Sequence, residues 1–393
     1  MDEGKFNHLA TDLIHMGVFK DEQYHSVSTP IYQTATFFSE DLENLSKYRY
    51  SRYSNPTRKA LEENLCAIEG GIEAFATVSG NASIHLVLSL LKAGDHIICG
   101  KEVHGGTFLL IKEYMGKFGI ESAFVDLLDF DSVKKAVKAN TRMIWIETPT
   151  NALLKIVDIA AIVEIAHYAE SICVVDNTLM TPFWQRPLDL GADIVVYSST
   201  KYLNGHSDVI SGAVIVKSEF LAKELQYWVS LLGLGESPMD AWLVLRGLKT
   251  LPQRLKVHEY NAGQIVQMLK THPLVKNIYY PGLENAQGHE TAKLQQKSFG
   301  GMISFEVDLE ALDLNLFIKS LKYFQFSHSS GGIVSNISHP WSTSHKCVAE
   351  ALRKESGITE GLLRLSPGLE YYEDLIKDLQ DAFKLGAKNR VLV

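Results

Sequence analysis

Lys201 follows an apolar, β-branched run, Ile194-Val195-Val196-Tyr197, and is separated from it by three small hydroxyl residues, Ser198-Ser199-Thr200. Such a run reads as a buried strand, and open α/β sheets place their ligands just past the carboxyl ends of strands. A lysine in that position is ordinarily a solvated turn residue. Upstream, a second run, Ile172-Cys173-Val174-Val175, ends on Asp176-Asn177-Thr178, and an Asp after a strand ordinarily caps a helix. Taken together, an amine and a carboxylate ending neighbouring strands suit pyridoxal 5'-phosphate (PLP). The amine joins the cofactor's aldehyde and the acid pairs with its pyridinium nitrogen. Ser198 and Thr200, beside the lysine, are placed as hydroxyl ligands for the phosphate.

Three further segments fit that chemistry. Ser79-Gly80-Asn81 opens an apolar helical stretch, and a helix N-terminus offers unpaired N–H groups and a positive dipole end to a phosphate. Tyr50 and Arg52, in a segment dense in Tyr and Arg, are placed to complete the phosphate shell from another subunit. Glu147-Thr148-Pro149-Thr150-Asn151 follows another apolar run. Glu147 and Asn151 are therefore counted among the cofactor-binding residues, Asn151 as a donor to the phenolic oxygen. A proline turn with a satisfied Asn is the competing account. Arg364 interrupts an apolar strand, Leu362-Leu363-Arg364-Leu365. A buried guanidinium needs a partner, and a substrate carboxylate held bidentately would supply one. A structural ion pair with Asp or Glu would do so equally.

The elements that must position these residues alternate. Strands are expected at 97–99, 123–125, 143–146, 172–175, 194–197 and 213–216, with helices at 58–69, 79–91, 131–138 and 158–169. This order predicts a mostly parallel sheet covered on both faces. After about residue 235 come helices at 239–248 and 253–269, strands at 303–307 and 362–365, and a last helix at 374–385, which reads as a smaller α+β unit. The expected division is an N-terminal arm over 1–55 contacting a neighbouring subunit, a PLP-binding α/β domain over 56–250, and a C-terminal α+β domain over 251–393.

Composition narrows the partners. The 393 residues carry 46 acidic against 38 basic side chains, a net charge of −8, with no basic stripe to recruit nucleic acid or an anionic membrane. Cys66, Cys99, Cys173 and Cys347 are scattered, which suits reduced thiols in a cytoplasmic protein and no metal site. Neither a signal peptide nor a membrane-spanning run is read in the chain.

Tyr-Ser-Arg-x-x-Asn-Pro-Thr at 50–57, Glu-Thr-Pro-Thr-Asn at 147–151, Val-Asp-Asn-Thr at 175–178, Ser-x-Thr-Lys-Tyr-Leu-x-Gly-His-Ser-Asp at 198–208 and Arg-Gly-Leu-Lys-Thr-Leu at 246–251 together resemble the Cys/Met-metabolism PLP enzymes. That family includes cystathionine γ-synthase, cystathionine γ-lyase, methionine γ-lyase and O-acylhomoserine sulfhydrylase. The resemblance covers nearly the whole chain. It implies a fold type I PLP-dependent transferase with a mostly parallel, seven-stranded-type large domain and a smaller α+β C-terminal domain. It also implies a homotetramer built from two catalytic dimers and a small amino-acid substrate. Within the site it assigns Lys201 to the cofactor, Tyr50 and Arg52 to the neighbouring subunit's phosphate, and Arg364 and Ser329 to the α-carboxylate.

Departures from the family pattern bear on the substrate. His104-Gly105-Gly106-Thr107 stands where the family usually has Tyr-Gly-Gly-Thr. That tyrosine stacks on the cofactor ring and takes part in proton transfer. His104 is expected to do both, with a pH–rate limb near an imidazole's ordinary range of about 6.5. His328 and Val334 take positions where the cystathionine enzymes commonly carry glutamates, so His328 is expected to meet the substrate differently. Asn81, Leu179 and the segment 335–341 depart as well, and His339, Trp341 and His345 are candidates to line an altered pocket. Gly106 stands where methionine γ-lyases typically have a cysteine.

The resemblance thus implies γ-elimination or γ-replacement on a sulfur-containing or O-activated homoserine-type amino acid, with Lys201 and His104 as catalytic residues. The alternatives are cystathionine β-lyase-like β-elimination and a catalytically silent PLP-binding paralogue.

Overall fold

Strand–helix alternation from residue 73 to 216 builds the larger of two sheets. The structure, a computed structural model, describes residues 8–18, 21–346 and 348–388; Cys347 lies outside them. Seven strands, β1 (Glu73–Thr77), β2 (His96–Gly100), β3 (Glu121–Val125), β4 (Thr141–Glu147), β5 (Ile172–Asp176), β6 (Ile194–Tyr197) and β7 (Gly212–Val216), lie in the order β1-β7-β6-β5-β4-β2-β3. Only β7 runs against its neighbours, pairing antiparallel with both β1 and β6. The rest of the ladder, β6-β5-β4-β2-β3, is parallel.

Burial on both faces explains why these strands are near-continuous apolar runs. Along β6, Ile194 and Val196 pack into one core while Val195 and Tyr197 pack into the opposite one. The helix Pro56–Glu69 covers one face. Asn55 caps it by accepting from the Thr57 N–H, and Gly70 ends it in the left-handed conformation.

The second sheet has the order β10-β11-β12-β9-β8, formed by β8 (Val275–Tyr279), β9 (Ile303–Val307), β10 (Gln325–Phe326), β11 (Asn336–Ser338) and β12 (Leu362–Ser366). The helices Leu251–Lys270, Leu314–Ser320 and Tyr372–Gly386 bury Ile265, Phe317 and Phe383 in a common core with Phe305 and Leu363 of this sheet. The fold is therefore α/β, with a mixed seven-stranded sheet and a second, smaller sheet domain.

Differences from the sequence expectation lie mostly at ends and in segments without clear periodicity. β1 and β8 carry too little alternation to read as strands, and the amphipathic helix Glu219–Leu232 was not expected. The helix expected over 79–91 stops at Leu88, where the chain turns through Ser89. The N-terminal segment is not wholly irregular. Its helix Leu9–His15 buries Leu13 against the helix Pro56–Glu69, and the Asn64 amide donates to the carbonyls of Leu13 and Met16. Beyond that helix, Tyr24, Val27, Phe38 and Leu42 are exposed. Among the described residues no helix is long and apolar enough to cross a membrane.

Candidate active site

Parallel pairing fixes the centre of the site. Glu147 at the end of β4 lies opposite Asp176 at the end of β5, and Asp176 lies opposite Val196 of β6. Three consecutive strand ends thus open on one cavity of about 450 Å³, lined by Glu147, Asp176, Ser198, Thr200 and Lys201. The same cavity is lined by Gly80, Asn81, His104, Asn151, His328 and Arg364. Amine and acid, twenty-five positions apart in the chain, share one chamber.

Lys201 sits in a tight turn. Its N–H donates to the Ser198 carbonyl (3.1 Å), and its carbonyl accepts from the Gly205 N–H (2.8 Å). Gly205 has φ +72°, and a Cβ there would strike the Arg254 guanidinium. Arg254, buried in the helix Leu251–Lys270, donates to the carbonyls of Tyr202 (2.8 Å), Leu203 (3.3 Å) and Gly247 (2.9 Å). That clamp ties the lysine turn to the helix after the first domain. Among the described residues, no carboxylate comes within ion-pair distance of the Lys201 amine. Burial, and then the charge of Arg364, push the amine down to about 8.

The two carboxylates have opposite fixtures. Asp176 Oδ1 accepts from the Thr178 N–H (3.0 Å), and Glu147 Oε2 accepts from the His104 N–H (2.8 Å). Burial raises both, and each carboxylate discourages ionisation of the other. The pair therefore holds less than two full negative charges even with Arg364 near Glu147.

The phosphate end is a close approach of two turns. Ser79 caps the helix Gly80–Leu88 by accepting from the Ala82 N–H (3.1 Å), which leaves first-turn N–H groups free. A Cβ on Gly80 would lie 2.8 Å from the Ser198 Cβ, so only glycine lets the helix end and the lysine turn meet. Thr178 Oγ1 accepts from the Ser198 N–H (2.8 Å). The Thr200 hydroxyl is already engaged with Ser211: it accepts from the Ser211 N–H (2.9 Å) and donates to the Ser211 carbonyl (3.1 Å).

Arg364, 7% exposed in β12, has no carboxylate at ion-pair distance among the described residues. Its Nη1 donates to Asn151 Oδ1 (2.7 Å). Asn151 therefore orients the guanidinium through its oxygen, in addition to any donor role of its amide. The structural ion pair considered for Arg364 does not form, and the guanidinium faces the cavity.

His104 lines the cavity and is exposed in the isolated chain. Its Nδ1 accepts from the Gly106 N–H (3.1 Å), which assigns the ring proton to Nε2. Desolvation by the surrounding protein, and then the charges of Lys201 and Arg364, push the imidazole down to about 4. A limb near 6.5 is thus not what this environment gives, because a third cation is disfavoured beside the two of Lys201 and Arg364.

One expected residue lies outside the cavity, and two that were assigned to a neighbouring subunit's site keep clear of their own chain's. Ser330, not Ser329, lines the cavity; the loop after β10 turns the neighbouring side chain inward. Tyr50 and Arg52 do not line the chamber of their own chain. Arg52 donates to the Ser230 carbonyl (2.6 Å) and lies over the Tyr53 ring at 4.5 Å. Thr178, Ser344 and Arg254 escaped the sequence reading. Ser344 enters on the 339–346 loop, which is held by bonds from Thr343 and His345 back to the carbonyls of His339 and Pro340, and by Arg353 stacked 3.9 Å over Trp341.

A free amine, a half-buried acid at the next strand end and a glycine-tight phosphate cradle suit PLP, and this donor set on a mixed α/β sheet defines a fold type I PLP-dependent enzyme. Comparison with known proteins agrees. Residues 10–384 match the family described as Cys/Met metabolism PLP-dependent enzyme. The chain is 46% identical over 376 residues to a cystathionine beta-lyase of Lactococcus lactis subsp. cremoris, covering 96% of this chain and 99% of that one. It is 43% identical over 374 residues to a cystathionine gamma-lyase of Bacillus subtilis, covering 95% and 98%. The crystal structure of cystathionine gamma-lyase from Lactobacillus plantarum complexed with L-serine superposes with a TM-score of 0.94 at 40% identity, covering 97% of this chain and all of that one. The protein belongs to the Cys/Met metabolism family of PLP-dependent enzymes.

Proposed function

We propose that the protein catalyses γ-elimination or γ-replacement on a homoserine- or homocysteine-type amino acid whose γ substituent is uncharged. The observation that carries this reading is the division of charge in the cavity. Both carboxylates, Glu147 and Asp176, lie at the strand ends, and both cations, Lys201 and Arg364, stand beside them. The outer wall from this chain is Leu179, Ile210, His328, Ser330 and Ser344, with no carboxylate to receive a distal ammonium.

When bound, PLP supplies the electron sink that makes a Cα proton removable. Asp176 would pair with its ring nitrogen, the first-turn N–H groups at Gly80 and Asn81 with Ser198 would hold the phosphate, and Lys201 would carry the aldehyde carbon. Arg364, aimed by Asn151, grips the substrate's α-carboxylate. The Lys201 amine, unpinned by any carboxylate, takes the Cα proton and delivers it elsewhere along the side chain. His104 presents Nε2–H towards the departing group. Tyr50 and Arg52 act across a subunit boundary, in a homotetramer whose exposed arm residues are covered by a neighbour.

A panel of O-acylhomoserine, cystathionine and methionine, with and without a thiol acceptor, tests the reading. 2-Oxobutyrate or a γ-replacement product from O-acylhomoserine is expected, and pyruvate from cystathionine as the sole product would overturn it. That second outcome is β-elimination, a reading supported by the 46% identical relative named cystathionine beta-lyase.

A further inference from the structure

Beneath the phosphate cradle lies a carboxyl group that the chemistry above does not use. Glu236 is 1% exposed, and neither of its carboxyl oxygens has a hydrogen-bond partner among the described residues. The Ser211 hydroxyl beside it is equally buried and equally unpartnered. Ser211 is also the residue that holds Thr200. Their main chains and the threonine hydroxyl share three hydrogen bonds, of 2.9, 3.1 and 3.2 Å. A line of contact therefore runs from Glu236 through Ser211 to Thr200 and the turn that carries Lys201.

The nearest cation is committed elsewhere. Arg58 donates to the main-chain carbonyl of Glu236 (3.1 Å) and pairs with Glu62 at 3.6 Å. Glu62 on the helix Pro56–Glu69 and Asp240 on the helix Pro238–Leu248 add repulsion, while Arg58 and Ser211 favour ionisation. Burial outweighs them and pushes the acid well above the usual carboxylate range. An ionised group here would be a buried charge with the Ser211 hydroxyl as its one side-chain neighbour able to donate, on the side of the cradle where the cofactor's phosphate, of the same sign, would sit. The neutral acid instead has an O–H to give.

We propose that Glu236 is a positioning residue for the cofactor's phosphate, a protonated acid that donates to the Ser211 hydroxyl and so steadies Thr200 from below. The inference rests on the reading above that Gly80, Asn81 and Ser198 hold the phosphate, against the turn that carries Thr200. It asks for no new ligand, only for two orphaned groups to close on each other when the cradle is loaded.

The test is the PLP dissociation constant of the reconstituted protein, measured by ultrafiltration, with the 31P resonance of the bound cofactor as the second readout. Glu236→Leu is expected to weaken PLP roughly tenfold and to move the resonance. Glu236→Gln keeps the shape and a donor, and is expected to stay within about threefold of the parent. Ser211→Ala should match the leucine variant, and the double variant should be no worse than either single one. Glu236→Gln weakening PLP as much as Glu236→Leu, or Ser211→Ala behaving as the parent, overturns the proposal. If Glu236→Leu does not fold, Ser211→Ala and Glu236→Gln decide it. Ser198→Ala separates the two layers: if it weakens PLP while the Glu236 and Ser211 variants do not, the cradle stands and Glu236 has no part in it. If none of the variants weakens PLP, the placement of the phosphate itself is wrong.

Discussion

The cavity has two ends built in different ways. At the inner end, Glu147, Asp176 and the Ser198–Lys201 turn are the last residues of, or the first beyond, three paired strands, so sheet register sets their spacing. At the outer end, His328, Ser330 and Ser344 sit on loops after β10 and β11, and His328 and Ile210 are exposed in the isolated chain. Register is a stiff constraint, because a slip by one residue turns every side chain to the other face. Loops tolerate substitution and carry specificity. The contrast suggests that the inner end keeps the cofactor's chemistry while the outer end chooses the amino acid. Each substitution below should therefore fall on one side of that division.

The largest effect is expected at Lys201. Lys201→Ala should lower turnover roughly a thousandfold or more and abolish the cofactor adduct fixed by borohydride, read by mass spectrometry. Arg364→Ala should cost about a hundredfold in kcat/KM with PLP content unchanged, because the guanidinium faces the cavity from the second sheet and not the phosphate cradle. A parallel loss of PLP would blur the two ends.

The lowered Lys201 amine gives a pH prediction with a definite sign. With its value near 8, the amine is mostly charged at pH 7 and mostly neutral at pH 9. Only the neutral form adds to an aldehyde, so the rate of PLP uptake by the apoprotein should rise through pH 8 and level off above it. Arg364→Ala should move that midpoint upward, since the guanidinium is one of the two causes of the depression.

His104→Phe should lower kcat by ten- to a hundredfold without moving any limb of the pH profile between 6 and 9, because the imidazole is already neutral there. The smallest effect on the cofactor should come from His328→Ala. PLP affinity should stay within about twofold, while the ratio of kcat/KM values across the substrate panel changes. A large loss of PLP in that variant would end the division between the two ends.

Much of the inner end is legible in the sequence itself. Apolar β-branched runs ending in Asp176 and in Ser198–Lys201 report buried parallel strands, and a chemically unusual residue after such a run reports a ligand site. Arg364 was legible for the same reason, as a charge within an apolar strand. Other features had no local signal. Arg254 looks like any helical arginine, and its three bonds to the carbonyls of 202, 203 and 247 exist only once helix and turn are packed together. Ser329 and Ser330 differ by one position in a loop without periodicity, so the pattern does not choose which faces inward. Glu236 precedes a helix among polar neighbours and gives no hint of its burial.

Residue order alone therefore determined the class of architecture and the cofactor, and marked most of the side chains that line the cavity, because strand burial and amine chemistry leave their marks in residue type. Packing alone decided the state of those groups. Desolvation and neighbouring charge set the protonation of Lys201, His104 and Glu236, and the Gly106 N–H chose the tautomer of His104. Solvation and Coulomb energies depend on distances between segments far apart in the chain, and those distances exist only in the folded protein.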